Sequence, residues 1–188
     1  MYKYFTNPVD IAKRIMTNYV KEGDIVLDCT VGNGNDTIHL AKLVGDSGKV
    51  YGFDIQSIAL KLTREKLEKE NLLNRVFFIH DSHENIDNYI SEKLSLIVYN
   101  LGYLPGGDKS IKTNPITTIK SLKKAIKLLK SNGLLLITCY TGHSGGKEEK
   151  EKVKAYLGAL DQKYANVLEF NFINQKNNPP VLYGVEKF

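Results

Sequence analysis

Glycines at positions 32 and 34 follow a short apolar run, residues 25–27, and precede apolar side chains at helical spacing. Neither glycine carries a Cβ atom, so the backbone can turn sharply there and approach a ligand closely. We expect Asp36 to cap the helix that follows, because a short carboxylate can accept hydrogen bonds from the first backbone N–H groups. The segment therefore predicts a cofactor-binding loop at the carboxyl end of a β-strand.

The residues around this loop discriminate between two kinds of nucleotide cofactor. A dinucleotide-binding fold favours a third small residue after the glycines and an uncharged turn beside the pyrophosphate. This chain instead has Thr37 at that position and Asp36 in the turn. The carboxylate of Asp28, just before the glycines, also suits a cationic sulfonium amino acid better than a pyrophosphate. The pattern therefore favours S-adenosylmethionine over NAD.

Polar side chains also follow the second, third and fourth predicted strands, residues 49–54, 76–79 and 94–99. In a doubly wound sheet the ligand lies at the carboxyl ends of the parallel strands, and an acid after the second strand can reach the ribose hydroxyls. We therefore expect these side chains to lie near the cofactor loop. The candidates are Asp54 and Gln56, then Asp81, Ser82 and His83, and finally Asn100, which opens a long irregular segment over residues 100–108.

The elements that must position these residues alternate between strand and helix along 188 residues. Such alternation predicts an α/β fold, here a doubly wound and mostly parallel seven-stranded sheet with a C-terminal antiparallel hairpin. No linker or internal repeat interrupts the pattern, so we expect residues 1–188 to form a single domain. The predicted helices include residues 8–20, 57–71, 116–130 and 148–160, and the remaining strands cover 133–140, 167–173 and 181–188.

Composition and charge exclude several other classes of protein. The net charge is +5, from 26 basic and 21 acidic residues, which is too mild to indicate a polyanionic partner by itself. No apolar run is long enough to span a bilayer, and the first residues lack the layout of a signal peptide, so we expect a cytoplasmic protein without membrane contact. Cys29 and Cys139 lie in apolar runs without the spacing of a disulfide or zinc site. We therefore expect buried free thiols and no metal.

The strand-end motifs together resemble the successive motifs of class I methyltransferases that use S-adenosylmethionine. Longer segments are similar to those of the bacterial rRNA methylase family. They are Asp-Cys-Thr-Val-Gly-Asn-Gly-Asn-Asp-Thr over 28–37, Asp-Ile-Gln over 54–56, Asn-Leu-Gly-Tyr-Leu-Pro-Gly-Gly-Asp over 100–108, and Tyr-Thr-Gly-His-Ser-Gly-Gly over 140–146 with Glu148. The resemblance implies a Rossmann-like methyltransferase fold. It also implies methylation of the 5-aminomethyl group of 2-thiouridine at the wobble position of tRNA.

The resemblance further implies which residues contact the cofactor. The glycines and amides of the first loop would hold its methionine and ribose portion, the acid after the second strand its ribose, and the polar residues after the third strand its adenine. The set is Asp28, Gly32, Asn33, Gly34, Asn35, Asp36, Asp54, Gln56, Asp81, Ser82 and His83. Two roles stay open. Asp36 either contacts the cofactor or caps its helix, and His83 either stacks near the adenine or caps the next helix.

Three residues are candidates for the methyl transfer itself. Asn100-Leu-Gly-Tyr103 resembles the Asn-Pro-Pro-Tyr motif of enzymes that methylate amino groups on bases, with Leu-Gly in place of the two prolines. The side-chain oxygen of Asn100 can accept a hydrogen bond from the attacking amine, and Tyr103 can stack on the base. His143 is the nearest titratable group that could help to remove a proton from the amine, or else it anchors its loop by a hydrogen bond.

The partner implied by the resemblance is tRNA, bound through its anticodon stem-loop. Lysines 120, 123, 124 and 127 share one face of a predicted helix, which could follow a phosphate backbone or be a solvated surface. A second copy of the chain would enlarge the basic surface available to a tRNA stem, so we expect a homodimer. The alternative functions are N-methylation of rRNA or of a small amine, and a non-catalytic module that binds cofactor and RNA.

Overall fold

A seven-stranded β-sheet frames the structure, a computed structural model that describes residues 3–4, 6–108 and 110–188. The strands are β1 (Ile25–Asp28), β2 (Lys49–Phe53), β3 (Val76–Ile79), β4 (Leu94–Leu101), β5 (Leu129–Cys139), β6 (Ala165–Phe170) and β7 (Val181–Lys187). The helices are α1 (Pro8–Tyr19), α2 (Asn35–Val44), α3 (Ser57–Lys69), α4 (Pro115–Leu128) and α5 (Gly146–Gly158). Among these helices, none is long and apolar enough to cross a membrane.

The strand order across the sheet is β3-β2-β1-β4-β5-β7-β6. Strands β1 to β5 run parallel, and β7 is antiparallel to both β5 and β6. The prediction of an α/β fold with a mostly parallel sheet and an antiparallel hairpin is therefore confirmed. The parallel order also brings the carboxyl ends of β1 to β5 to one edge, where the candidate residues lie.

The boundary between α4 and β5 differs from the prediction. The helix ends at Leu128 rather than at 130, and the strand begins at Leu129 rather than at 133. Leu129 is fully buried and pairs with Leu94 of β4. Asn132 then adopts a φ angle of +61° before pairing resumes at Leu134. Burial of Leu129 in the sheet therefore outweighs the helical periodicity that predicted a helix up to residue 130.

The start of α2 also corrects a prediction. Gly34, with a φ angle of +79°, occupies the capping position, and no side chain caps the helix there. Asp36 lies inside the first turn, so the prediction that it caps α2 is wrong. Its negative charge still favours the N-terminal end of the helix, where the backbone N–H groups point outward.

Two hydrophobic clusters fill the two faces of the sheet. Alternate side chains of β4 point to opposite faces, so Tyr99 belongs to one cluster and Val98 to the other. Side chains of α4 and α5 cover the first face, and those of α1, α2 and α3 cover the second. Cys29 and Cys139 are free thiols within the first cluster, as predicted.

Candidate active site

A cavity of about 660 Å³ opens at the carboxyl ends of the parallel strands. Small-molecule sites typically enclose roughly 300–1,000 Å³. Segments after each of β1 to β5 form its walls, together with Asn178 and Pro180 from the connection between β6 and β7. The predicted residues on these walls are Gly32, Asn33, Asn35, Asp36, Asp54, Gln56, Asp81, Ser82, His83, Asn100, Tyr103 and His143. Asp28 and Gly34 are not among the residues that line the cavity.

A hydrogen bond joins the loop after β1 to Asp54, the acid that follows β2. Gly32 adopts a φ angle of +51°, which favours glycine, and its backbone N–H donates to Asp54 Oδ2 at 2.8 Å. The other oxygen, Oδ1, accepts from the backbone N–H of Gln56 at 2.8 Å. Burial raises the pKa of Asp54 above its ordinary value. Each carboxylate oxygen has a second lone pair, so the same group can also accept from ribose hydroxyls.

The absence of a side chain at Gly34 lets this loop pack closely against α3. A Cβ atom at position 34 would lie 2.5 Å from the side-chain atoms Oγ1 and Cγ2 of Thr63. Lys66 of the same helix donates from Nζ to the carbonyl oxygen of Asn33 at 2.7 Å. The helix α3 therefore fixes the outer side of the loop, and Asn33 lies between it and the cavity.

Asp28 has a structural position behind the loop, which corrects the prediction of a direct cofactor contact. Its side chain is 0% exposed. It accepts hydrogen bonds from the backbone N–H of Thr30 at 3.0 Å and from Thr37 Oγ1 at 2.6 Å. Burial, followed by the nearby charge of Asp36, raises the pKa of Asp28 to about 7. This carboxyl ties the start of the loop to the first turn of α2.

Asn100, at the end of β4, is held from two sides. Its backbone N–H donates to Thr30 Oγ1 at 2.8 Å, and its side-chain Nδ2 donates to Asp36 Oδ2 at 2.7 Å. These two bonds join the loop after β1 to the segment after β4. Asp36 does not cap its helix. Its carboxylate instead holds the side-chain amide of Asn100.

The segment after β3 presents a neutral histidine to the cavity. Ser82, not His83, caps the short 3₁₀ helix His83–Asn88, with its hydroxyl accepting from the backbone N–H of Glu84 at 3.4 Å. The His83 ring is buried and packs edge-on against Tyr99, with 5.6 Å between the ring centroids. Burial lowers the pKa of His83 to about 4, so the ring is uncharged at neutral pH.

His83 also provides a test of whether the site suits a nucleoside. Its Nδ1 atom is buried and has no hydrogen-bond partner among the described residues. A buried polar atom without a partner is costly unless a ligand or water supplies one. The polar edge of an adenine could do so at the end of β3, whereas Asp81 is already occupied by Asn85 and Tyr89. The donors and acceptors present therefore fit the adenosine of S-adenosylmethionine.

Tyr103 and His143 both line the cavity and contact each other. Their rings pack edge to face, with centroids 5.9 Å apart. Nδ1 of His143 donates to the carbonyl oxygen of Ser144 at 3.1 Å, since a carbonyl can only accept. That same carbonyl accepts from Lys112 Nζ at 2.8 Å. The Nε2 atom of His143 is buried and has no partner among the described residues.

One residue important to this part of the cavity was missed in the sequence. Glu149 is 2% exposed and accepts hydrogen bonds from the hydroxyls of Thr113 at 2.7 Å and Thr118 at 2.6 Å. It thereby joins the segment after β4 and helix α4 to α5. Its neighbour Glu148, noted in the sequence, is exposed and pairs with Lys152 at 3.7 Å. A signal was present, because positions 149, 153 and 157 share the buried stripe of α5.

Two of the four lysines on the α4 face form ion pairs with carboxylates of the neighbouring 3₁₀ helix. Lys120 Nζ lies 3.2 Å from Glu84 Oε2, and Lys124 Nζ lies 2.6 Å from Asp87 Oδ1. These contacts tie α4 to the 3₁₀ helix beside the cavity. Among the described residues, no group of three or more His, Cys, Asp or Glu side chains is arranged to hold a metal ion.

Residues 50–186 match the family described as "Putative rRNA methylase". The chain belongs to that family. It is 34% identical to the "tRNA (mnm(5)s(2)U34)-methyltransferase, chloroplastic" of Arabidopsis thaliana, over 93% of this chain and 67% of that relative. The resemblance seen in the sequence is thereby confirmed.

Solved structures of two bacterial proteins agree with this membership of the rRNA methylase family. A "putative rRNA-methylase" from Clostridium thermocellum is 48% identical, with a TM-score of 0.95 over 97% of this chain and 98% of that one. A "putative methyltransferase" from Streptococcus mutans, solved in complex with SAH, is 37% identical, with a TM-score of 0.89 over the whole of both chains. The protein is an S-adenosylmethionine-dependent methyltransferase with a Rossmann-like fold.

Proposed function

We propose that this methyltransferase acts on tRNA and methylates the 5-aminomethyl group of 2-thiouridine at the wobble position. The Arabidopsis relative carries this modified nucleoside in its printed name, and the similarity covers nearly all of this chain. The observation that carries the proposal is the position of Asn100 and Tyr103. Both lie at the end of β4 and line the same cavity as the cofactor loop.

The polar groups around Asn100 suit an amine as the methyl acceptor. Asn100 donates through Nδ2 to Asp36, so its remaining polar atom, Oδ1, is an acceptor. An amine offers N–H donors to such an acceptor and keeps its lone pair free for attack. S-adenosylmethionine, when bound, supplies the methyl group on an electrophilic sulfonium centre. The amine nitrogen forms the new bond to carbon while the carbon–sulfur electron pair leaves with sulfur, and the nitrogen then releases one proton.

The cofactor would be held by the three loops described above. Gly32 brings the backbone against its amino-acid portion, Asp54 accepts from the ribose, and His83 meets the adenine. Asn33, Asn35, Gln56, Asp81 and Ser82 complete this wall. Asn100 lines the same cavity as these residues, so the cofactor and the acceptor amine would lie beside each other.

Tyr103 and His143 would receive the base. Tyr103 is 37% exposed, so part of its surface can stack on a base, while its ring meets that of His143 at nearly a right angle. The hydrogen bond from Nδ1 to Ser144 leaves the lone pair of Nε2 on His143 as an acceptor in the neutral ring. In this arrangement His143 anchors its loop, and Nε2 is the candidate acceptor for the released proton.

We place the substrate RNA over the mouth of the cavity, as an anticodon stem-loop whose wobble base enters the site. We further propose that two copies of the chain act together in the cytoplasm. Sedimentation of the protein at assay concentration tests the homodimer, and a purely monomeric species would argue against it.

Nucleoside mass spectrometry tests the reaction directly. Total tRNA from a strain lacking this protein is incubated with the purified protein and S-adenosylmethionine, then digested. We expect the 5-aminomethyl-2-thiouridine of that tRNA to be converted to 5-methylaminomethyl-2-thiouridine. Asn100→Ala should abolish most of this conversion while leaving the affinity for S-adenosylmethionine within about threefold.

The family description favours rRNA as the second candidate substrate. The same incubation with rRNA from the deletion strain therefore runs in parallel. Methylation of rRNA with unchanged tRNA nucleosides would contradict the tRNA proposal and support the rRNA one. Tight cofactor binding without turnover on either RNA would indicate a non-catalytic binding module.

A further inference from the structure

The bond between Asp36 and Asn100 joins the cofactor loop to the residue that would meet the acceptor amine. Asp36 Oδ2 accepts from Asn100 Nδ2 at 2.7 Å, and the backbone N–H of Asn100 is bound to Thr30 Oγ1. Among the described residues, no donor reaches Oδ1 of Asn100. That oxygen is not one of the buried unpartnered atoms, and Asn100 lines the cavity.

An asparagine amide can be turned by 180° with little change in shape, because its oxygen and nitrogen are nearly the same size. Beside an ionised carboxylate the two orientations are not equivalent. The carboxylate only accepts hydrogen bonds, so it binds the amide nitrogen and repels the amide oxygen. The charge of Asp36 therefore selects the orientation in which Oδ1 is left for the cavity.

The opposite orientation would oppose the reaction. An amide NH₂ group facing the substrate would donate to the lone pair of the amine, and that lone pair must instead attack the methyl carbon. In the selected orientation, Oδ1 accepts from an N–H of the amine and leaves the lone pair free.

We propose that Asp36 is a positioning residue for methyl transfer, which holds the amide of Asn100 so that its oxygen faces the acceptor amine. This role rests on the proposed methylation of an amine. It differs from the cofactor contact predicted for Asp36 in the sequence, because Asp36 acts here through Asn100.

Asp36→Asn tests the role with almost no change in volume. An amide at position 36 can present either oxygen or nitrogen, so both orientations of Asn100 find a partner. We expect kcat on the tRNA to fall at least about twofold, because two equally populated orientations leave about half of the molecules with the productive one. The dissociation constant of S-adenosylmethionine, measured by titration calorimetry, should stay within about threefold. Asp46→Asn is the matched control, since it removes the same charge just beyond the other end of α2.

A double variant separates this role from a general loss of structure. If Asp36 acts through Asn100, then Asp36→Asn combined with Asn100→Ala is no slower than Asn100→Ala alone. The proposal would be overturned if the double variant were slower than Asn100→Ala by the same factor that Asp36→Asn loses alone. An unchanged kcat or a loss of cofactor binding in Asp36→Asn would also overturn it.

A measurement without turnover distinguishes failure of this inference from failure of the proposed function. In a ¹⁵N spectrum, the side-chain amide signals of Asn100 are those that vanish in Asn100→Ala. Asp36→Asn should shift these signals, and Asp46→Asn should not. If the unaltered protein leaves the tRNA unmethylated, the proposed function fails. The amide signals then decide alone whether Asp36 holds Asn100, and unshifted signals would overturn that contact.

Discussion

Asp28→Asn tests whether one buried carboxyl controls how stability depends on pH. Asp28 is 0% exposed, and burial, followed by the charge of Asp36, raises its pKa from 3.8 to about 7. The unfolded chain keeps the ordinary value. Between about pH 4 and pH 7 the folded protein therefore holds a proton that the unfolded chain has released, so the free energy of unfolding falls as the pH rises. A pKa difference of this size corresponds to about 4 kcal/mol.

Asparagine keeps the shape of the side chain but cannot ionise, so this loss should be absent in the variant. Thr37 can donate to the new amide oxygen or accept from its nitrogen, so the hydroxyl keeps a partner. We expect similar stabilities near pH 4, and by pH 8 the variant should be the more stable protein by up to about 4 kcal/mol.

Urea unfolding of both proteins without cofactor, at steps from about pH 4 to pH 8, measures the difference. Other titrating groups contribute equally to both proteins, so the difference isolates Asp28. Two curves that remain parallel over the whole range would refute the reasoning, because they would mean that Asp28 titrates alike in the folded and unfolded states.

Two further predictions concern the packing around the site. Gly34→Ala should lower the free energy of unfolding by at least about 1–2 kcal/mol through its positive φ angle alone. The clash of the new Cβ with Thr63 at 2.5 Å should lower the melting temperature further, and adding Thr63→Ala should recover part of that loss because it removes the two clashing atoms. A Gly34→Ala variant with an unchanged melting temperature would contradict the prediction. Glu149→Gln should cost about 1–3 kcal/mol, because both threonine hydroxyls exchange a charge-assisted bond to a carboxylate for a weaker bond to a neutral amide, and one of them must turn to accept from Nε2. Glu148→Gln at the exposed neighbour should change stability by less than about 0.5 kcal/mol, and equal effects of the two changes would refute the assigned contacts.

The strand ends could be predicted because local chemistry defines them. Short apolar runs that stop at a polar residue marked β1 to β4, and the parallel arrangement then required those polar residues to share one edge. Asp54, His83 and Asn100 reach the same cavity for this reason. The glycine at 32 was informative in the same way, since its positive φ angle is a local property.

Contacts between distant loops could not be predicted from local pattern. Asp36 and Asn100 are 64 residues apart in the chain, and nothing around either residue specifies the other. Asp28 illustrates the opposite error. Its charge was read as a ligand for a cation, but the fold buries it behind the loop and supplies Thr37 as its partner. Which side of a loop a carboxylate faces depends on tertiary packing, which the sequence motif leaves open.

The position of β7 affects the order in which the molecule can be completed during synthesis. β7 follows β6 in the chain yet lies between β5 and β6 in the sheet, and among the described strands β6 pairs with β7 alone. On a ribosome, β1 to β5 can therefore align while β6 still lacks a neighbouring strand. Asn178 and Pro180, which precede β7, also form part of the cavity wall. Pairing of residues 181–187 with β5 and β6 thus completes the sheet and anchors the segment that carries Asn178 and Pro180, so a nascent chain that stops short of β7 lacks the link between β5 and β6.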